Sequence, residues 1–213
     1  MIEHGKKLAK IIPKHTCYIE VCDSDLSLIL YKQQSKVNVY NDFYHGYSCL
    51  FSTLRFKSMF EKFYDLLPIV NVYSSDLLNR GLRYTCEMHL KSAIRYCLTA
   101  RAFDLNVDES EKQIFERVKK LHEAFIDVEL ECRLYDKLFE DRDGKESLFY
   151  INITSELWTN WYLDMWRLIL SNCMGKFILV CSRTIDKFDV FNKVSIGIPY
   201  KVFTNYEVGY YDK

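Results

Sequence analysis

The residues best placed to do chemistry sit at the end of one stretch, Leu148-Phe149-Tyr150-Ile151-Asn152-Ile153-Thr154-Ser155. Its apolar and β-branched run reads as a short buried strand, preceded by the turn signal Asp141-Arg142-Asp143-Gly144 and followed by an amphipathic helix. In an open α/β sheet, ligands sit just past the carboxyl ends of such strands. Here that position is held by Asn152, Ile153, Thr154 and Ser155. Two more strand ends carry acids. Tyr18-Ile19-Glu20-Val21-Cys22 reads as a strand that runs into Asp23-Ser24-Asp25, a loop and helix cap. Lys36-Val37-Asn38-Val39-Tyr40 alternates as a second strand and runs into Asn41-Asp42. Taken alone, Asn41-Asp42 is an ordinary strand-to-helix turn.

Those strand ends need a frame. A short helix over Gly5 to Ile12, ended by Pro13, precedes the first strand, and Leu26 to Tyr31 supplies an apolar helix between the first two. That β-α-β order implies a parallel sheet with a right-handed crossover. From Phe43 to about Phe103 the apolar period becomes helical, with Pro68 expected to break it and Ser74 or Ser75 to cap a helix. A longer helix spans Glu87 to Ala100. The next opens at Asp108, with Glu111 three residues on, and turns Ile114, Val118, Leu121 and Phe125 inward. Val128 to Cys132 returns to strand alternation, and Arg133 to Glu140 is a short helix. Glu156 to Leu170 is predicted as a helix burying Leu157, Trp161, Met165 and Leu168. Lys176 to Cys181 is a buried strand, and Tyr200 to Tyr211 supplies one or two antiparallel edge strands. The expected fold is α/β: a doubly wound, mostly parallel Rossmann-like sheet built from residues 1–42 and 127–213. Residues 43–126 form a helical segment, and an antiparallel pair forms the carboxyl-terminal edge.

Composition excludes several classes. Lys plus Arg and Asp plus Glu are 29 each, so the net charge is zero and lacks the basic excess of a dedicated nucleic-acid binder. The eight cysteines have no C-x-x-C spacing, several lie in apolar runs, and neither they nor the histidines cluster as a metal site would. They read as buried free thiols in a reducing cytosol. No metal is expected. No signal peptide or membrane-spanning run is present, so a cytoplasmic protein is expected. Seven glycines, none clustered, are too few and too scattered for a loop that wraps a nucleotide.

In order and spacing, four of these stretches resemble the Dam-like family of DNA adenine methyltransferases, which bind S-adenosylmethionine (SAM) on a doubly wound sheet. Gly5-Lys6 with Leu8 and Ala9 resembles the family's amino-terminal Gly-Gly-Lys segment. Tyr18-Ile19-Glu20 resembles the start of its Tyr-Val-Glu-Pro-Phe-x-Gly-x-Gly cofactor loop. Val37 to Asp42 is similar to the stretch whose acidic residue holds cofactor hydroxyls, and Leu148 to Ile151 to the strand that carries Asp-Pro-Pro-Tyr. The resemblance implies a methyltransferase-like sheet and a reduced DNA-recognition insert within residues 43–126. Lys57, Lys62, Arg80, Arg83, Lys91, Arg95 and Arg101 could face phosphate there, although a solvated face is the plainer reading.

Its departures imply that the chemistry is gone. Both loop glycines are replaced, and Asp23, Ser24 and Asp25 stand where backbone must approach the cofactor. Their two carboxylates would face the methionine carboxylate of SAM, a repulsion of about 1 kcal/mol or more. Asn152-Ile153-Thr154-Ser155 replaces Asp-Pro-Pro-Tyr, so the target base loses both the acceptor's charge and its stacking ring, the latter worth roughly 1–3 kcal/mol. Gly5, Lys6, Glu20 and Asp42 remain as remnants of a cofactor site, and no catalytic residue or cofactor is expected. The implied function is a catalytically inactive homologue, of a kind that suits a mobile element or phage, acting by binding a protein partner or DNA. The competing reading is a divergent SAM-dependent enzyme that still uses Asn152.

Overall fold

A computed structural model describes residues 2–21, 27–43, 48–102, 111–153 and 159–208. The first two strands, β1 (Cys17–Glu20) and β2 (Val37–Asn41), follow helices α1 (Ile2–Ala9) and α2 (Ser27–Tyr31) in alternation. Five helices then lie in sequence before the next strand: α3 (Ser48–Arg55), α4 (Lys57–Asn71), α5 (Ser75–Tyr84), α6 (Met88–Ala102) and α7 (Glu111–Phe125). After them come β3 (Val128–Glu131), α8 (Tyr135–Arg142), β4 (Ser147–Ile153), α9 (Asn160–Ser171), β5 (Lys176–Cys181), β6 (Asn192–Val194) and β7 (Lys201–Thr204).

The strands form one sheet in the order β3-β2-β1-β4-β5-β7-β6. β1 to β5 are mutually parallel, and β7 runs antiparallel to both of its neighbours. The fold is therefore Rossmann-like α/β, mostly parallel, with an antiparallel edge. Helices cover both faces, as parallel strands require. Tyr18, Leu148, Tyr150 and Ile178 pack with Leu8 of α1, Ile11 just past it and Leu28 of α2. On the opposite face Ile19, Phe149, Ile151 and Phe177 pack with Leu138 of α8 and Trp166 of α9. The helices α3 to α7 add a third cluster around Phe51, Phe63 and Phe125, which reaches the sheet through Tyr40 and Val128. No helix among the described residues is long and apolar enough to cross a membrane.

Four details differ from the sequence-based expectation. Pro68 does not break the helical pattern but lies inside α4. A mid-helix proline costs about 3 kcal/mol, and burial of Phe60, Phe63, Leu67 and Val70 on the same helix outweighs it at roughly 1.5–3 kcal/mol per side chain. Helix α9 starts at Asn160 behind an extended Thr159 rather than at Glu156, and it turns Leu163, Trp166 and Leu170 inward. Trp161 and Leu168, expected inside, are each 67% exposed. Both stripes have helical spacing; position 163 lies about 200° around the axis from 161, and the fit to the sheet selects the second stripe. The antiparallel edge pair is not contained in residues 200–211, because its outer strand, β6, precedes them. Finally, the thiols are not uniformly buried: Cys86 and Cys132 are exposed, whereas Cys97 and Cys181 are buried. The expected cap at Asp108 lies outside the described residues, and the expected cap at Ser74 is present, its side chain accepting from the Leu77 N–H.

Candidate functional site

The chain runs from β1 outward to β2 and β3, then returns to the other side of β1 to form β4. The order reverses between β1 and β4, and the crevice beyond the carboxyl ends of those two strands is where an open sheet of this kind takes ligands. Register fixes what stands there. Glu20, the last residue of β1, is level with Tyr40 of β2 and Tyr150 of β4. Asn152 lies two residues further along β4, and Asp42 directly follows β2. Alternation along the strands puts Tyr18 and Glu20, Tyr40 and Asp42, and Tyr150 and Asn152 on one side of the sheet. Glu20, Asp42 and Asn152 are all buried. Three of the expected site residues therefore share one sheet face at one end.

Glu20 is held from beneath by a polar chain. Its Oε2 accepts a hydrogen bond from the Tyr18 hydroxyl at 3.1 Å. The Lys32 ammonium, just past α2, lies 4.4 Å from the centre of the Tyr18 ring. It donates to Asn38 Oδ1 at 2.5 Å and to Ser35 Oγ at 3.4 Å. His15 Nε2 pairs with the same Ser35 hydroxyl at 2.7 Å. Burial lowers the Lys32 pKa to about 8, against the pull of the Glu20 carboxylate, which favours the charged amine. Burial, then Glu20, pushes the Tyr18 phenol well above its usual range. Burial also lowers the His15 imidazole, opposed by its bond to the Pro13 carbonyl and assisted by Lys32. A carboxylate, a phenol, an amine and an imidazole are thus linked from the candidate crevice toward the far end of the sheet.

Asn41 fixes the neighbouring strand end. Its amide donates to the carbonyls of Val21, at 3.2 Å, and Arg133, at 3.0 Å, and its Oδ1 accepts from the Arg133 N–H at 2.8 Å. It ties the ends of β1 and β2 to the turn after β3. The Asp42 N–H bonds the Glu131 carbonyl at 2.9 Å, which extends the β2–β3 ladder by one residue. Glu131 in turn pairs with Arg133 at 3.0 Å and with Arg142, and Arg142 reaches Glu129 at 2.6 Å. These ion pairs clamp α8 to β3 and hold the loop that borders Asp42.

Gly5 and Lys6 lie in α1, which packs against α2 on the same side of the sheet as Glu20. Gly5 is buried. The exposed Lys6 extends over Tyr31, its ammonium 5.4 Å from the ring centre. Asp23, Ser24 and Asp25, and likewise Thr154 and Ser155, lie outside the described residues. No set of three His, Cys, Asp or Glu side chains that could hold a metal occurs among the described residues. Cys181, at the end of β5, is held protonated by burial, with its pKa raised to about 12, so it is no nucleophile at neutral pH. What remains is suited to holding a polar ligand: two acids that accept hydrogen bonds from hydroxyls, and an amide that both donates and accepts.

Sequence reasoning did not find Lys32, Asn38 or the Arg142 clamp. A signal for one was present. Asn38 has the same parity in its strand as Tyr40 and Asp42 and so must face inward, where an amide needs a partner. A scan of protein-family models and a search of curated proteins found no match for this chain.

Proposed function

We propose that this protein is a degenerate relative of the Dam-like DNA adenine methyltransferases that has lost methyl transfer and acts by binding a protein partner or DNA. The observation that carries the proposal is the buried, uncharged Asn152 at the carboxyl end of β4, beside the reversal of strand order. By alignment of motifs it stands where the family uses the aspartate that polarises the target amino group. An amide keeps one carbonyl acceptor there and supplies no negative charge. Further support comes from the sheet, whose parallel body and antiparallel carboxyl-terminal edge match the fold that the resemblance implies.

A second reading has its own support. Glu20 and Asp42 persist, buried, at the two strand ends where cofactor contacts are expected. A divergent SAM-dependent enzyme working through Asn152 would use them. Two measurements on the purified chain decide between the readings. With labelled SAM and adenine-containing DNA, no label passes to DNA under the proposal. In calorimetry SAM gives no micromolar binding. Label transfer, or micromolar SAM affinity that disappears in Asp42→Ala, would overturn the proposal in favour of the enzyme.

A further inference from the structure

A second concave surface lies beside the candidate crevice, at the antiparallel edge. It is an open groove of about 900 Å³ between the turn after β5 and the β6–β7 hairpin. Its position follows from register: Ile153 of β4 is level with Cys181 of β5, and Cys181 with Lys201 of β7. The groove therefore opens at the same end of the sheet as Asn152, on the β5 side.

Its lining is cationic. Among the described residues Arg183, Lys193 and Lys201 contribute, and no carboxylate does. Lys201 is largely covered, with its amine bound to the Ile185 carbonyl at 2.8 Å and paired with Asp186, so its charge is already compensated. Arg183 and Lys193 are exposed. Asp189 lies in the same turn region and faces Cys181 together with Asp186. Arg183 lies two residues past β5, and Lys193 is on β6, two strand spacings to the side and level with Leu179, so their backbones are more than about 10 Å apart. That spread exceeds one phosphate group and suits phosphates at separate positions along a chain. The walls also carry Ile196 and the half-buried ring of Tyr200. Gly197, with φ +67, makes the turn that an L side chain would resist, and its carbonyl accepts from Lys7 Nζ at 2.9 Å. The groove is thus built rather than loose, and anchored to α1.

We propose that this groove holds a single strand of nucleic acid, with phosphates on Arg183 and Lys193 and a base against Tyr200. A positive groove with an aromatic platform is how strands are bound without sequence preference. The volume accommodates about two linked nucleotides, the size of a drug-like ligand, and is too small to enclose a duplex. An acidic peptide adding to the sheet edge fits less well, because β6 is only three residues long and bears Lys193, which blunts strand addition. The choice of nucleic acid rests on the reading of the chain as a relative of DNA-modifying enzymes.

The test is fluorescence anisotropy with labelled oligothymidylate, a duplex of equal length and poly-glutamate as competitor, at stepped salt, on the full chain and on Arg183→Glu with Lys193→Glu. Both side chains are exposed, and equal urea midpoints confirm that the variant is folded. Expected is strand binding at low salt that is stronger than duplex binding and resists poly-glutamate. The double variant should weaken it at least tenfold and reduce the salt slope by about 1.4, the release expected for two phosphates. Unchanged strand affinity in the variant, absence of strand binding at low salt, a preference for duplex, or equal displacement by poly-glutamate overturns the groove assignment. None of these outcomes bears on SAM binding, which tests the methyltransferase reading by itself.

Discussion

Lys32 offers the sharpest test of the network beneath Glu20. Its amine is buried and has a pKa of about 8 in the fold against 10.5 when free. The folded value is the lower one, so folding expels a proton between those limits and stability rises with pH across that window. At pH 7 the buried ammonium costs about 3 kcal/mol, and by pH 10 the cost has fallen to about 1 kcal/mol. The gain over that range is about 2.5 kcal/mol. Other groups titrate there in the opposite sense. The Cys173 and Cys181 thiols are raised from 9.0 to about 12 and lose stability as pH climbs above 9. They are common to the native chain and to Lys32→Met, so they cancel in the comparison. The absolute difference between the two proteins mixes relief of the amine's desolvation with loss of its attraction to Glu20. Its change with pH isolates the amine. Urea unfolding at pH 7 and pH 10 reads it: with a slope near 2–3 kcal/mol per molar urea, the gap between midpoints should move by about 1 M, in favour of the native chain at pH 10. A gap that is the same at both pH values would refute the reasoning, since the amine would then titrate in the fold as it does when free.

Asn41→Asp replaces the amide that donates to Val21 and Arg133 by a carboxylate facing both carbonyls, and should cost about 2–4 kcal/mol at neutral pH. The new carboxyl's folded pKa is raised above its free value of about 3.9, so the cost grows as pH rises through that range and disappears below it; thermal unfolding at pH 4 and pH 7 should show the variant closer to native at the lower pH. On α9, Leu163→Ala should cost about 2–5 kcal/mol, whereas Trp161→Ser should stay within about 0.5 kcal/mol. Equal losses from the two in chemical denaturation would mean that the helix is rotated from the orientation described.

The parallel strands were legible because each is a short apolar run bounded by turn residues, and β5 lies where its sequence indicates. Strand β4, buried throughout, and the alternation of β2 fixed the sheet's centre in the same way. What escaped depended on choices that a linear pattern leaves open. Helix α9 carries apolar residues at two helical spacings, and only contact with the sheet says which is inside. Strand β6 has three residues, burying none of them fully, and so left no period to detect. The candidate site was legible as a set of strand ends, since Glu20, Asp42 and Asn152 each follow an apolar run. Its support was not, because Lys32 joins Asn38 and Tyr18 only after α2 folds back over the sheet.

That support changes how the buried acids should be weighed. A fully buried carboxylate at a strand end invites a ligand as its explanation. Glu20 has another: the Tyr18 hydroxyl donates to it and the Lys32 cation lies within electrostatic reach, so the fold accounts for its burial. Loss of the Tyr18 hydroxyl would remove a hydrogen bond to a buried carboxylate, at a cost of about 1.5–3 kcal/mol. The residue is therefore constrained whether or not anything binds above it, and its presence says little about cofactor binding. Asp42 and Asn152 lie further along their strands, at the rim of the crevice, and both are also buried. A scaffold whose interior is fixed by alternating apolar residues and one neutralised acid can keep its shape while the loops at its strand ends change. On the proposed reading, this is how such a fold would outlast its chemistry and leave its neighbouring surfaces for binding.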